Sequence, residues 1–534
     1  MCGIALILGD GARRDRFRRM LDAIAPRGDV EETLVEEGML LGTQRLKIVD
    51  REHAVQPWCS ADGRWALCYN GEVFNFMELR GELEGLGHAF RSHGDTEVVL
   101  EAFLEWGEGA VDRLRGEFAF AAVDRQDRSV YLARDPVGVR PLHWSTAQGC
   151  LHVASEVKAL VPVGAPISQV PPGHHGWARP GAEPELTAYV DLLSLGDGEP
   201  PVADPDEAMK LLRTALEDSI RVRVDTDLTV GVVLSGGLDS ALVLANVREM
   251  HPDCVAFTVG TPDSDDLHYA TRLAADLGVR HEVLELRPSA ISMADVRAAV
   301  RVAELTEYGD VINAVVSNRL YDHVHRSGVK VVVSGDGSDE LFGGYVMYRD
   351  VGDAVRQRLF QYNLASLGRT ELQRVDRTSM GHGVEVRVPF LDLSLVRLAM
   401  RIPIDLKVRD GQEKWVLREA FADMLPDYVL RRRKNPMSHA SGLHERIRLY
   451  RPLFPRLYRS FGYEAAAPMR RDFSVLLDRY GLDVDRALAD EASARDYTLL
   501  EHARDLAGAA RQNLAARRRR PVRPDNPTPP EVMP

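Results

Sequence analysis

Cysteine is scarce in this chain: five residues in 534, at positions 2, 59, 68, 150 and 254, with no Cys-x-x-Cys pair among them. So small, odd and dispersed a set supplies neither a disulfide framework nor a thiolate zinc cluster, and a reducing, cytoplasmic compartment suits it best. Basic charge is also in deficit, 67 Lys and Arg against 80 Asp and Glu for a net charge of −13. Affinity for phosphate backbones and anionic membranes comes from Lys and Arg, so nucleic-acid and membrane partners are not expected. A local exception is the run Arg517 to Arg520. Long apolar runs are missing too. Ile4 to Leu8 stops at Gly9 and Asp10 without a basic start, so it reads as a β-strand rather than a signal peptide. No stretch nears the roughly 18 to 20 apolar residues of a membrane helix, so a soluble chain is expected. The sequence holds no internal repeat and no Walker A run ending in Gly-Lys-Ser/Thr, which disfavours a P-loop kinase or ATPase.

What is present is ordinary globular material, 45% hydrophobic and 28% charged, in a chain long enough for two domains with extra helices. From Cys2 to about Val163, short apolar runs alternate with turns: Gly3 to Leu8, Met39 to Thr43, Trp65 to Tyr69, Phe118 to Val123 and Ser129 to Ala133. That spacing predicts antiparallel sheets. Asp124 to Asp127 reads as a hairpin connection. Thr96 to Trp106 has helical periodicity, with Asp95 as its N-cap. Pro and Gly crowd residues 164 to 206 and mark a change of unit and a linker. Beyond it, Thr229 to Leu234 and Val329 to Val333 are β-branched strands that each run into a Gly-rich loop, with helical stretches between them. This is the pattern of a doubly wound parallel sheet whose ligands sit at the carboxyl ends of the strands. Arg397 to about Leu506 reads mainly as helix, and the Arg- and Pro-rich Ala515 to Pro534 as disordered tail.

Two constellations carry chemistry. The first begins at Cys2. Loss of Met1 would leave a chain that starts with its own thiol and a free α-amine of pKa about 7.7 to 8.0, able to take the thiol proton without another base. Asn70 and Gly71, within Tyr69-Asn70-Gly71-Glu72, are a side-chain amide beside a glycine N–H, a suitable donor pair for an oxyanion. Asp95 stands at a helix start, where it caps the helix or holds a substrate ammonium. Arg45, in Gln44-Arg45-Leu46-Lys47-Ile48-Val49-Asp50, has the fork that fits a carboxylate.

In this order these residues resemble the class II glutamine amidotransferases over most of residues 2 to 160. The resemblance implies that Cys2 attacks a glutamine side-chain amide, that Asn70 and Gly71 hold the oxyanion, and that Arg45, Leu46, Lys47, Ile48, Val49, Glu72 and Asp95 line the glutamine pocket. One departure is visible: the family's His-Arg-Gly-Pro-Asp stretch is Pro26-Arg27-Gly28-Asp29 here.

The second constellation is Leu234-Ser235-Gly236-Gly237-Leu238-Asp239-Ser240, between a strand and a helix. Glycines, backbone N–H groups and serine hydroxyls make it an anion site, and Asp239 among them points to a Mg²⁺ bridging to phosphate. A second loop of like composition, Ser334-Gly335-Asp336-Gly337-Ser338-Asp339-Glu340, follows another strand and would meet the first at one cleft. The first loop resembles the pyrophosphate loop of ATP pyrophosphatases. With Phe257 to Gly260, Asp336 to Gly344 and Gly383 to Asp392, it resembles the synthetase domain of asparagine synthetases.

That resemblance implies an α+β N-terminal nucleophile hydrolase layer of antiparallel sheets with helices, then an α/β doubly wound ATP-pyrophosphatase domain with extra C-terminal helices. The implied bounds are 2–190 for the glutaminase, 191–206 for a linker, 207–512 for the synthetase and 513–534 for the tail. It places Val233, Ser235, Gly236, Gly237, Asp239, Ser240, Val259, Ser334 and Gly335 on ATP, and Asp239 with Asp339 on Mg²⁺. Lys434 would neutralise charge as an acyl-adenylate forms, and Asp336 or Glu340 would accept the surplus proton. An ammonia passage would be walled in part by Met380 to Phe390.

The substrates implied are glutamine, ATP and a carboxylate acceptor, with aspartate first. Asparagine synthetases commonly carry Glu where Asp336 stands, and an Asp-Gly-Val-Gly-like stretch where Asn435 to Gly442 lie. Both departures fall at the acceptor end, so amidation of a specialised-metabolite or peptide carboxylate stays open, a β-lactam-forming relative less so. A non-catalytic binding protein on the same fold is the reading from another class. The sequence leaves a homodimer open.

Overall fold

In the computed structural model, residues 1–304, 308–345, 348, 353–433 and 443–479 are described. The amino-terminal half stacks two antiparallel sheets. The first holds β1 (Cys2–Leu8), β2 (Val30–Glu36) and β3 (Met39–Arg45), and the second includes β4 (Trp58–Cys59), β5 (Trp65–Val73), β6 (Gly116–Asp124) and β7 (Val130–Arg134). The first sheet is completed by β8 (His143–Ala147), β9 (Cys150–Ala154) and β10 (Ser168–Gln169), the second by β11 (His174–Ala178) and β12 (Glu185–Ala188). Their orders are β10-β8-β9-β1-β3-β2 and β12-β11-β7-β6-β5-β4. One core lies between the sheets, where Ile4, Leu6 and Leu8 of β1 meet Ala66, Cys68, Ala119 and Ala121 of the facing sheet. Alternate side chains of a strand point to opposite faces, and here both faces of β1 are buried, so it is apolar throughout.

Five parallel strands, β13 (Val230–Val233), β14 (Val255–Gly260), β15 (Arg280–Glu285), β16 (Val331–Val333) and β17 (Glu385–Arg387), form the second sheet system in the order β15-β14-β13-β16-β17. Helices Pro205–Arg223, Leu238–Met250, Asp265–Leu277 and Glu371–Met380 are among those packed around it. The order reverses at β13, and the loops after β13 and β16 therefore flank one crevice, the usual place for a ligand in an open α/β sheet.

The predicted apolar runs of the first half fall on β1, β3, β5, β6 and β7, with Ser129 just ahead of its strand, whereas Thr229 to Leu234 overshoots β13 at both ends and Val329 to Val333 begins ahead of β16; Asp124 to Asp127 does connect a hairpin. Two expectations are corrected. Asp95 is the first residue of its helix, not the cap: Gly94 holds that position, and the Asp95 carboxylate turns inward. The Pro- and Gly-rich stretch is not all connector either, since β10, β11 and β12 lie within it and complete both sheets. No helix among the described residues is long and apolar enough to cross a membrane. The segment Ala515 to Pro534 lies outside the described residues.

Candidate active site

The candidate nucleophile, Cys2, is placed by strand register. Cys2 opens β1 opposite Arg45 of β3, and its backbone N–H donates to Asn70 Oδ1 of β5 at 2.9 Å. That bond uses the oxygen of the Asn70 amide and leaves Nδ2 buried without a partner among the described residues. A buried donor with no acceptor is costly unless a ligand completes it, and this one belongs to the side chain that holds the Cys2 N–H. Gly71 is required by close packing: a Cβ there would stand 2.4 Å from the Glu117 carbonyl oxygen and 2.6 Å from Phe118 Cα. Gln56, which sequence reasoning missed, points Nε2 at Cys2 Sγ at 3.6 Å while its Oε1 accepts from the Tyr69 N–H. Burial pushes the Cys2 thiol up. The Met1 ammonium, the Leu46 backbone N–H and Arg45 pull it the other way.

Met1 lies within the domain boundary. Its ammonium pairs with Glu385 Oε2 at 2.5 Å, both groups fully buried, and its side chain packs with Leu46, Ile48, Val331 and Met380. With Met1 in place the Cys2 nitrogen is an amide and cannot serve as a base.

Around the thiol, Glu72 and Asp95 are both buried. Asp95 Oδ2 accepts from the Tyr69 hydroxyl at 2.6 Å and the Val73 N–H at 3.1 Å. Burial, and then Asp95 nearby, raise Glu72 to about 8, and burial raises Asp95. Two carboxylates raised in this way favour a cation between them, which is the requirement for holding a substrate ammonium. Arg45 differs from expectation. Its fork is closed on Glu32, with Nε to Oε2 and Nη2 to Oε1 both at 3.0 Å, so here it braces β2 instead of facing an open pocket. A cleft of about 630 Å³ reaches this region from the domain boundary, bordered by Ile48, Val49 and Glu72 and, across from them, Asp218, Arg221 and Asp227.

In the second half, the loop after β13 turns at Gly236 with φ +69°, where a Cβ would meet Ala270 N at 2.6 Å. The Ser240 hydroxyl ties the loop together, accepting from the Ser235 N–H at 3.2 Å and donating to the Gly237 carbonyl at 3.1 Å. The two predicted loops do meet. A Cβ on Gly335 would sit 2.8 Å from Asp239 Cβ, and the Ser338 hydroxyl donates to Asp239 Oδ1 at 2.8 Å. Val233 and Val259 lie near the carboxyl ends of adjacent strands, and the Ser334 hydroxyl is buried without a partner among the described residues.

The carboxylates of Asp239 and Asp339 converge on Lys414, whose Nζ lies 2.6 Å from one and 2.5 Å from the other. Sequence reasoning missed Lys414, which stands 175 residues from Asp239 with no motif around it. Among the described residues no three acidic, His or Cys side chains form a metal cluster. Two carboxylates facing a phosphate loop nonetheless fit Mg²⁺, which takes one or two carboxylates and completes its shell with substrate phosphates and water.

Of the basic run, Arg431 is exposed, whereas Arg432 is largely buried, pairs with Asp266 at 2.6 Å and donates to the Ser235 carbonyl at 3.0 Å. Lys434, like Asn435 to Gly442, lies outside the described residues. Asp336 accepts from Arg374 Nη2 at 3.3 Å. Glu340 accepts from the Tyr345 hydroxyl and is pushed up to about 8 by burial, then by Asp339 and Glu371.

Residues 1–172 match the family described as glutamine amidotransferase domain, and residues 211–356 and 351–463 match asparagine synthase. The chain is 34% identical over 430 residues to asparagine synthetase B [glutamine-hydrolyzing] of Escherichia coli (strain K12), covering 76% of this chain and 75% of that one. It is 33% identical over 474 residues to asparagine synthetase [glutamine-hydrolyzing] of Brassica oleracea, covering 83% and 78%. It is 27% identical over 536 residues to asparagine synthetase [glutamine-hydrolyzing] 1 of Bacillus subtilis (strain 168), covering 79% and 83%.

Proposed function

We infer that this chain, which belongs to the family of glutamine-hydrolysing asparagine synthetases, converts aspartate to asparagine, drawing nitrogen from glutamine and activating the acceptor with ATP. The observation that carries the reading is the Cys2–Asn70 pair, with a donor left over, held in one body with two touching anion loops.

With Met1 removed, the Cys2 α-amine takes the thiol proton and Sγ attacks the glutamine side-chain amide. Negative charge develops on the amide oxygen, where Asn70 Nδ2 and the Gly71 N–H supply hydrogen bonds that grow toward the transition state. Ammonia leaves, and water hydrolyses the glutamyl thioester to glutamate. Glu72 and Asp95 take the α-ammonium end of the substrate. We expect Asn70→Ala to lower glutamine hydrolysis by about 10²- to 10³-fold with little change in KM, measured as glutamate release.

In the other half, the loops after β13 and β16 cradle the triphosphate, and the acceptor carboxylate attacks the α-phosphorus to give an acyl-adenylate and pyrophosphate. Asp239 and Asp339 are the residues that would hold Mg²⁺, which when bound neutralises phosphate charge. Lys414 and Arg432 add fixed positive charge at the same loops. Lys434 is proposed to supply charge during adenylate formation. Ammonia must arrive unprotonated, and the apolar cluster of Leu46, Ile48, Val331 and Met380 between the halves is the proposed shelter for its passage.

A screen of carboxylates tests the acceptor. With glutamine and ATP, aspartate is expected to yield asparagine and AMP in equal amounts; product with other carboxylates and none with aspartate would reject it. The second reading, amidation of a different carboxylate, is favoured by one observation. Asp336, a methylene shorter than the family's usual Glu, is bound to Arg374, which also pairs with Glu371, so the acceptor end is bounded by an acid, a cation and an acid.

A further inference from the structure

The helix Glu371–Met380 belongs to the synthetase half, yet it holds a residue of the glutaminase site. Arg27 is the last residue of the 3₁₀ turn Ala25–Arg27 and is 1% exposed. Its Nε donates to the Cys2 carbonyl at 2.9 Å, and thereby fixes the first peptide of β1, from which the thiol hangs. The rest of its fork is spent elsewhere: Nη1 reaches Glu156 at 2.7 Å and Asp376 Oδ2 at 2.9 Å, and Nη2 reaches Asp376 Oδ1 at 3.1 Å. Asp376 thus engages both terminal nitrogens of Arg27, and it is itself 1% exposed. A buried guanidinium without its carboxylate would rotate to find another acceptor, and the Nε bond to Cys2 would turn with it.

Two residues earlier on the same helix, Arg374 grips Asp336 of the acceptor loop. Residues two apart on a helix face in different directions, so one rigid element touches both sites. The arrangement is tight on the glutaminase side as well, since a Cβ on Gly28 would lie 2.3 Å from the Gln44 carbonyl carbon and the turn has no room to shift.

We propose that Asp376 is a positioning residue for glutamine hydrolysis: through Arg27 it holds the Cys2 peptide in register with Asn70, so the synthetase half supplies part of the glutaminase geometry. The inference rests on the reading of function given above. Misplacing a reacting atom by about 1 Å costs up to about 100-fold, so Asp376→Asn in the full chain is expected to lower kcat for glutamine hydrolysis by about 10- to 100-fold. AMP formation with ammonium chloride as nitrogen source should stay within about twofold of the parent, and Asp376→Glu should recover part of the loss. A merely structural role would lower both reactions together.

Parental glutamine turnover in a folded Asp376→Asn protein, or a parallel fall in both reactions, overturns the proposal and leaves the reading of function intact. A parent that releases no glutamate from glutamine refutes that reading and the proposal with it. Should the Asn variant not fold, Asp376→Glu decides: a selective loss of at least about threefold in glutamine hydrolysis supports the proposal, and unchanged turnover overturns it.

Discussion

Replacing Cys2 with alanine is expected to abolish glutamine-dependent amide formation, by at least about ten-thousandfold, while ammonia-supplied formation stays within about twofold of the parent. The size follows from the chemistry: with no sulfur there is no thioester, and the Asn70 and Gly71 donors have no tetrahedral adduct to stabilise. The selectivity follows from the architecture. Cys2 lies on β1 of one sheet system, and the phosphate loops follow β13 and β16 of another, with separate cores beneath them. Glutamate release and AMP release, measured separately with glutamine and with ammonium chloride, check the expectation. Equal glutamate release by variant and parent would remove Cys2 from the mechanism.

The second large effect belongs to Asp239. Asp239→Asn is expected to reduce AMP and pyrophosphate formation by about a thousandfold, several kcal/mol of lost charge stabilisation, and to leave basal glutamine hydrolysis measurable. Asp239 accepts from Ser338 and pairs with Lys414, so it joins the two loops. Ser338 and the Lys414 ammonium both donate to the same oxygen, Asp239 Oδ1, so an asparagine of the same shape can keep both bonds by placing its carbonyl there, but it carries no charge. Radiolabelled ATP turnover at saturating Mg²⁺ is the measurement. AMP formation at the parental rate would place the phosphate charge elsewhere. A thermal melt beside it separates lost chemistry from lost folding.

How far these sites could be read from residues alone depended on whether contacts were local. The Ser-Gly-Gly loop and the Asn-Gly pair were readable because their chemistry lies within a few consecutive positions, and the β-branched runs before the loops located the strands. Arg45 was assigned an open fork because β2 went unrecognised. Val30–Glu36 is an edge strand in which both faces mix acids with part-exposed apolar residues, so it shows no period-2 apolar signal, and its Glu32 is what closes on Arg45. Asp95 looked like a cap because caps and helix starts share residue types, and only the position of Tyr69 across the sheet turns the carboxylate inward. Gln56, Lys414, Asp376 and Glu385 were invisible for one shared reason. Each meets a partner 54 to 384 positions away in the sequence, and such pairings are set by tertiary packing, not by any local pattern.

The burial of Met1 also dictates a schedule. Its ammonium is sealed against Glu385, a residue synthesised 384 positions later, so an aminopeptidase has no access once the two halves have closed. At about 5 to 20 residues per second of translation, the nascent amino terminus stays open for roughly 20 to 80 s before that carboxylate even leaves the ribosome. On the proposed mechanism, removal of Met1 has to precede closure of the two halves, because a chain that keeps it carries an amide in place of the base at Cys2.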